Sequence, residues 1–72
     1  MAFSGDRLAE LRRQAGQSRE RLAVGAGVSI SSLISYEQGN SVPSVDRAQA
    51  LADALGISLP VLLRDLETAS AA

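Results

Sequence analysis

Cysteine and histidine are both absent from this chain of 72 residues. Without cysteine, neither a disulfide framework nor a thiolate metal site can brace so small a domain. Without histidine, zinc and haem lose their commonest ligand, and acid–base catalysis loses its usual proton carrier. Lysine is missing too, so nothing is present to activate a serine nucleophile in its place. We therefore expect no enzymatic activity, no metal or other cofactor, and no small-molecule ligand.

Long apolar runs are also lacking. No stretch approaches the roughly 18 apolar residues of a membrane-spanning helix. The N-terminus does not have the charged-then-apolar pattern of a signal peptide. We expect a small cytoplasmic domain that does not associate with membranes.

The charge of the chain is small in total but uneven along the sequence. All 7 basic residues are arginine, and 8 acidic residues bring the formal net charge to −1. Four of these arginines lie between positions 12 and 21. A pI near 5.1 is low for a strong nucleic-acid binder, because a basic face supplies most non-specific affinity. The charge is therefore polarised although the total is close to zero.

Serines and glycines divide the chain into five short predicted helices. The first spans about residues 6–14 and stops at Gly16. Three more each lie between a capping serine and a terminating glycine, at 18–27, 29–39 and 44–56. The fifth begins at Ser58 and runs through Leu63. Apolar residues at helical spacing predict one core. Its expected members are Leu8, Leu11, Leu22, Ala23, Ala26, Val28, Leu33, Tyr36, Val45, Ala48, Leu51, Ala52, Leu55, Leu62 and Leu63.

The second and third predicted helices are separated by a glycine and a short Val-Ser turn. This spacing is typical of a helix-turn-helix, which sets its second helix in the major groove of DNA. An ordinary helical hairpin with a glycine turn fits the spacing equally well. The third helix, in "GVSISSLISYEQG" at 27–39, carries four serines, two isoleucines and no basic residue. Such a helix offers little charge to a nucleic acid.

Five short motifs occur in a fixed order along the chain. They are "LR" at 11–12 followed by Gly16, "LA" and "AGVS" within 22–29, "YEQG" at 36–39, "PS" at 43–44 and "LADALGIS" at 51–58. With these motifs the chain resembles the Cro/C1-type (XRE-like, lambda-repressor-like) helix-turn-helix family over most of its length. The resemblance implies an all-α, compact five-helix domain over residues 1–66, with the helix-turn-helix at about 18–37. Residues 67–72 would then be a frayed tail.

The resemblance also implies which residues meet double-stranded operator DNA. Base contacts fall on Ile30, Ser31 and Ser35. Phosphate contacts fall on Arg19, Ser29, Ser32, Asn40 and Ser41. Relatives often carry Gln, Arg or Lys at the base-contact positions. Ile30 can offer only an apolar contact, for instance to a thymine methyl, and a serine can bond to either kind of base. We therefore expect weak direct readout, with specificity drawn from DNA shape and backbone contacts.

Arg19 stands where relatives usually have a glutamine that contacts phosphate. Free amides at a helix N-terminus and a cationic side chain together favour an anion there. The alternative is a solvated surface arginine. The resemblance also pairs Arg12 with Glu37 in an ion pair that bridges the first helix to the end of the third. We expect Tyr36 in the core and Ile34 on the outside.

Dimerisation is the last expectation, because one recognition helix covers only half an operator. In the family, homodimers often form around the last helix, where Leu59, Val61 and Leu66 could make an exposed apolar patch. Alternatively, these residues complete the core of the monomer. The function implied is a sequence-specific transcriptional regulator of repressor or controller type. The short length fits a stand-alone controller of a restriction–modification, phage or toxin–antitoxin locus. The alternative is a protein-interaction module with the same fold and weak or no DNA binding, which the acidic pI favours.

Overall fold

The computed structural model describes residues 3–63 and folds this part of the chain into five α-helices without strands. They are α1 (Gly5–Gln14), α2 (Arg19–Ala26), α3 (Ile30–Gln38), α4 (Val45–Leu55) and α5 (Leu59–Leu62). The predicted fold class and helix order are confirmed. In the described part, no helix has the length and apolar character needed to cross a membrane. The predicted tail 67–72 lies outside the described residues.

Serine side chains begin the first four helices. The Oγ atoms of Ser4, Ser18, Ser29 and Ser44 each accept a hydrogen bond from the backbone N–H three residues later. Such caps satisfy amides that have no partner within the helix. Ser58 occupies the equivalent position before α5, but its side chain makes no capping hydrogen bond. The cap predicted for the fifth helix is therefore present in position only.

Gly27 ends α2 in the left-handed conformation, with a φ of 71°. The N–H of the next residue, Val28, donates to the carbonyl of Ala23 at 3.0 Å, which closes the last turn. Glycine adopts this conformation without the steric penalty that a side chain brings. Only Val28 and Ser29 then separate this glycine from α3. The tight turn fixes the direction in which α3 leaves α2.

The core contains one fully buried leucine from each helix. These five residues are Leu8, Leu22, Leu33, Leu51 and Leu62. Burying a leucine side chain stabilises a fold by roughly 1.5–3 kcal/mol. Tyr36, exposed by only 4%, packs among them as predicted. The prediction that Val45 faces the core is wrong, since it is 58% exposed. Val45 is the first residue of α4, and the buried face of that helix begins one turn later at Ala48.

The start of α1 packs tightly against the end of α3. A Cβ atom on Gly5 would overlap the backbone carbonyl oxygen of Tyr36 and would lie 2.6 Å from that of Glu37. Real Cβ atoms do not come so close to a backbone oxygen, so only glycine fits here. The contact fixes α1 against the end of α3 that carries Glu37.

Candidate nucleic-acid interface

Helix α3 has one buried and one open face. Leu33 and Tyr36 point into the core, and Leu22 of α2 is buried in the same cluster. On the other side, Ser31 is exposed and Ile30 is 37% exposed. The open face therefore begins in the first turn of α3, directly after the tight turn from α2.

The three predicted base-contact residues do not share one environment. Ile30 and Ser31 are exposed in the first turn of α3, whereas Ser35, one turn later, is half-buried. The Oγ atom of Ser35 lies 2.8 Å from the Oγ atom of Ser41, in the loop after α3. This hydrogen bond joins a predicted base contact to a predicted phosphate contact. Both hydroxyls keep lone pairs for a further partner.

The polar side chains predicted to contact phosphate already make local hydrogen bonds. Ser29 Oγ accepts from the backbone N–H of Ser32 at 3.1 Å and donates to Ser32 Oγ at 2.9 Å. Because a serine has only one hydroxyl proton, Ser32 is the member of this pair that can still donate to a phosphate. Asn40 donates through Nδ2 to the Gln38 side chain at 3.2 Å and is exposed.

Glu37 lies at the centre of a cluster of charged groups beneath the interface. Arg12 Nε donates to Glu37 Oε2 at 2.7 Å, and Arg12 Nη2 donates to Glu37 Oε1 at 3.3 Å. Their side chains are 12% and 1% exposed, respectively. Arg12 is held further by a 2.9 Å hydrogen bond from Nη1 to the carbonyl of Gln17. The structure thus brings together the two residues predicted to pair, and α1 is tied to the end of α3.

Arg19 is a third member of this cluster, which sequence reasoning missed. Its Nε donates to Glu37 Oε1 at 3.0 Å, while 43% of the side chain stays exposed. Positions 19 and 37 lie on different helices, and no spacing rule relates them. The contact with phosphate stays a prediction, but Arg19 is not the freely solvated arginine considered as its alternative.

An open groove of about 430 Å³ lies beside Arg19. It is lined by Arg12, Ser18, Arg19, Glu20, Ile30 and Ile34. The groove runs between the start of α2 and the first turns of α3, where the predicted phosphate and base contacts meet. Ile34 is half-buried and lines the wall of this open groove, so it is turned to the surface as expected but is only partly exposed.

The residues predicted to form a dimer interface are less exposed than expected. Leu59 is half-buried and packs against the core. Val61 is half-buried too, and its carbonyl accepts a 3.3 Å hydrogen bond from Arg7 Nη2. Leu66 lies outside the described residues. The arrangement of Leu59 agrees with the alternative that it completes the monomer core, and the dimer stays a prediction.

Residues 5–66 match a protein family described as the helix-turn-helix domain. The chain belongs to this family. The resemblance to Cro/C1-type regulators is confirmed, because the similar solved structures are regulators of this type. Among curated proteins, no sequence matches the chain.

Three solved structures illustrate the similarity. The restriction–modification controller protein C.AhdI from Aeromonas hydrophila is 38% identical, with a TM-score of 0.79, over 81% of this chain and 88% of that one. The P22 c2 repressor in complex with a synthetic operator is 25% identical, with a TM-score of 0.78, over 89% and 97%. ComR from S. thermophilus, in complex with DNA and its signalling peptide ComS, is 40% identical, with a TM-score of 0.76. That match covers 82% of this chain and only 20% of ComR.

Proposed function

We propose that this helix-turn-helix protein is a sequence-specific transcriptional regulator, of repressor or controller type, whose α3 enters the major groove of operator DNA. The open first turn of α3 carries the proposal, because Ile30 and Ser31 stand exposed directly after the tight turn from α2. In a helix-turn-helix, the start of the helix after the turn, here α3, is the part that reaches base edges. The similar P22 c2 repressor and ComR are both described in complex with DNA, which supports the proposal.

The interface has two kinds of contact. Ile30, Ser31 and Ser35 read base edges, and their short side chains require α3 to lie close to the groove floor. Arg19 and the hydroxyl and amide groups around α3 hold the phosphate backbone. The donating groups are Ser32, Asn40 and Ser41, while Ser29, whose single hydroxyl proton goes to Ser32, holds the Ser32 hydroxyl in place. Phosphate contacts set the register of the protein on the duplex and carry no sequence information directly, although they can sense the sequence-dependent shape of the backbone.

The affinity for random DNA should be modest. Arg13 is paired with Glu10 at 3.3 Å, and Arg12 is occupied by Glu37. Arg19 and Arg21 remain as the arginines of α2, with Glu20 between them. Each phosphate neutralised by a cation changes the slope of log K against log salt by about 0.9. We therefore expect a shallow salt dependence for the protein.

We also propose that two copies bind one operator. Paired recognition helices must lie about 34 Å apart to enter successive major grooves. Leu59, Val61 and Leu66 remain the proposed contact between the copies. The proposal implies a cytoplasmic binding protein that works without a cofactor and is not an enzyme.

The function is tested by selecting bound sequences from a random DNA pool. Polarisation titrations of the selected duplex and of a mixed-sequence duplex then follow. A selected sequence bound at least 10³-fold more tightly than the mixed duplex is expected of a specific regulator. Complete indifference to DNA at low salt would contradict the proposal. That result would favour a protein-interaction module. The pI of 5.1 and the exposure of Val24 (83%) and Val42 (71%) support this alternative.

A further inference from the structure

The carboxylate of Glu37 is a rigidly held acceptor. Its side chain is 1% exposed, and Arg12 donates hydrogen bonds to both of its oxygens, at 2.7 and 3.3 Å. Arg12 is itself fixed to the backbone of Gln17. The close approach of α1 at Gly5 holds the backbone of Glu37 as well. A group that hydrogen-bonds to this carboxylate is therefore placed by the core of the protein.

Arg19 is attached to this carboxylate by one end only. Its Nε donates to Glu37 Oε1 at 3.0 Å, and its two Nη groups make no hydrogen bond within residues 3–63. A guanidinium is planar, so a bond at Nε restricts the plane in which both Nη groups lie. With 43% of the side chain exposed, these donors remain accessible beside the groove that Ile30 and Ile34 line.

The charges of the cluster leave an excess on its outer member. Two arginines share one carboxylate, and Arg12 is 12% exposed against 43% for Arg19. Arg12 is the more buried arginine and hydrogen-bonds to both oxygens of Glu37. The surplus positive charge of the cluster therefore lies on Arg19, which is more exposed to solvent. An anion approaching the groove meets a cation whose orientation is already set.

We propose that Glu37 is a positioning residue for DNA binding, which orients the guanidinium of Arg19 so that its Nη groups receive a backbone phosphate. This inference rests on the proposed function. Holding the side chain in advance reduces the rotamer freedom that phosphate binding would otherwise remove. It also fixes the phosphate-binding group relative to Ile30 and Ser31, since Glu37 and both of these residues belong to α3.

Lysine at position 19 separates positioning from charge. Arg19→Lys keeps the positive charge, but a single ammonium cannot bond to the buried carboxylate in one direction and present a planar fork in another. We expect Arg19→Lys to behave like Arg19→Ala on a mixed-sequence duplex. Both should make the salt dependence of binding shallower by about one unit. Their loss of affinity relative to the wild type should therefore shrink about fourfold between roughly 50 and 200 mM salt.

Arg21 supplies the matched control. It lies two residues further along α2, is exposed, and its side chain makes no hydrogen bond within the described part of the chain. Arg21→Lys should therefore retain the wild-type slope. If Arg19→Lys also kept the wild-type affinity and slope, Arg19 would act through its charge alone and the positioning role would be wrong. An unchanged Arg19→Ala variant would overturn the inference as well. In both cases the wild-type protein still binds DNA, whereas failure of the proposed function would abolish wild-type binding.

Glu37→Gln gives a second test, because positioning and net charge predict opposite changes in DNA affinity for this variant. Removing a negative charge should strengthen DNA binding if only net charge matters. Positioning predicts weaker binding and a slope reduced by about one, measured at a temperature where circular dichroism shows the variant folded. In an Arg19→Ala background, Glu37→Gln should then leave the slope unchanged. A stronger-binding Glu37→Gln variant would refute the positioning role. If Glu37→Gln does not fold, the comparison of Arg19→Lys with Arg19→Ala decides the question.

Discussion

Replacing Glu37 by alanine should destabilise the fold far more than replacing its exposed partner. The variant leaves Arg12 without a counter-charge at a site where only 12% of its side chain is exposed. Removing one member of a buried pair costs about 3–5 kcal/mol, because the other charge stays buried and unpaired. Arg12→Ala should cost a similar amount, since it leaves the 1% exposed carboxylate with only Arg19. Arg19→Ala removes a half-exposed partner and should cost at most about 1 kcal/mol.

The size of the domain makes these differences easy to measure. At about 0.05–0.15 kcal/mol per residue, a chain of 72 residues is stable by roughly 4–11 kcal/mol. Glu37→Ala therefore removes about a quarter or more of the total. A domain of this size loses about 4–8 °C of Tm per kcal/mol, so the expected decrease is at least about 12 °C.

Thermal and urea unfolding followed by circular dichroism provide the assay, with Glu10→Ala as the control. Glu10 also pairs with an arginine, at 3.3 Å, but the two side chains are 51% and 59% exposed. Its removal should change the free energy of unfolding by no more than about 0.5 kcal/mol. The double variant Arg12→Ala/Glu37→Ala should lose less than the sum of the two single losses. Unfolding curves of Glu37→Ala that superimpose on those of the wild type, or of Glu10→Ala, would refute the reasoning.

Three further predictions concern packing, base reading and assembly. Gly25→Ala should stabilise the protein by about 0.5–1 kcal/mol, since the new Cβ would meet only Ala54 Cβ at 3.4 Å. Gly5→Ala should instead lower the urea concentration at which the protein unfolds, because the new Cβ would overlap backbone oxygens. Ile30→Ala should weaken only operators with thymine at the contacted position, and uracil in place of that thymine should abolish the difference between variant and wild type. Val61→Asp should weaken operator binding if α5 joins two copies. Sedimentation that shows only monomer at tens of micromolar, with and without operator, would contradict the dimer.

Local chemistry made the helices predictable. Ser18, Ser29 and Ser44 cap the helices they were expected to cap, because their partners are backbone amides only three residues away. Glycines after α2, α3 and α4 adopt the left-handed conformation that ends a helix. Signals of this range depend on few residues and are little affected by the rest of the fold. Val45 shows the limit, since periodicity alone does not tell where the buried face of a helix begins.

Contacts between distant helices could not be predicted in the same way. The Arg12–Glu37 pair was expected only through resemblance to a family, and that family commonly carries glutamine where this chain has Arg19. The bond from Arg19 to Glu37 therefore had no precedent in the pattern, and it depends on how α2 crosses α3. The close approach at Gly5 was missed for the same reason, since its neighbours Tyr36 and Glu37 lie more than thirty residues away. Ser35 and Ser41 were assigned separate roles, although the structure joins them.

The composition of α3 explains why such contacts matter here. A long arginine or glutamine at a base-reading position can correct a misplaced helix by changing its rotamer. Ser31 and Ser35, the proposed readers, have short side chains and cannot reach further, so the proposed function requires α3 itself to lie at the right depth in the groove. The structure holds α3 by the glycine contact of α1, by the buried pair of Arg12 with Glu37, and by the Ser35–Ser41 hydrogen bond. If α3 is the proposed recognition helix, it depends on the rigidity of its attachment because it has no charged readers, and Glu37 extends that rigidity to Arg19, the proposed phosphate contact.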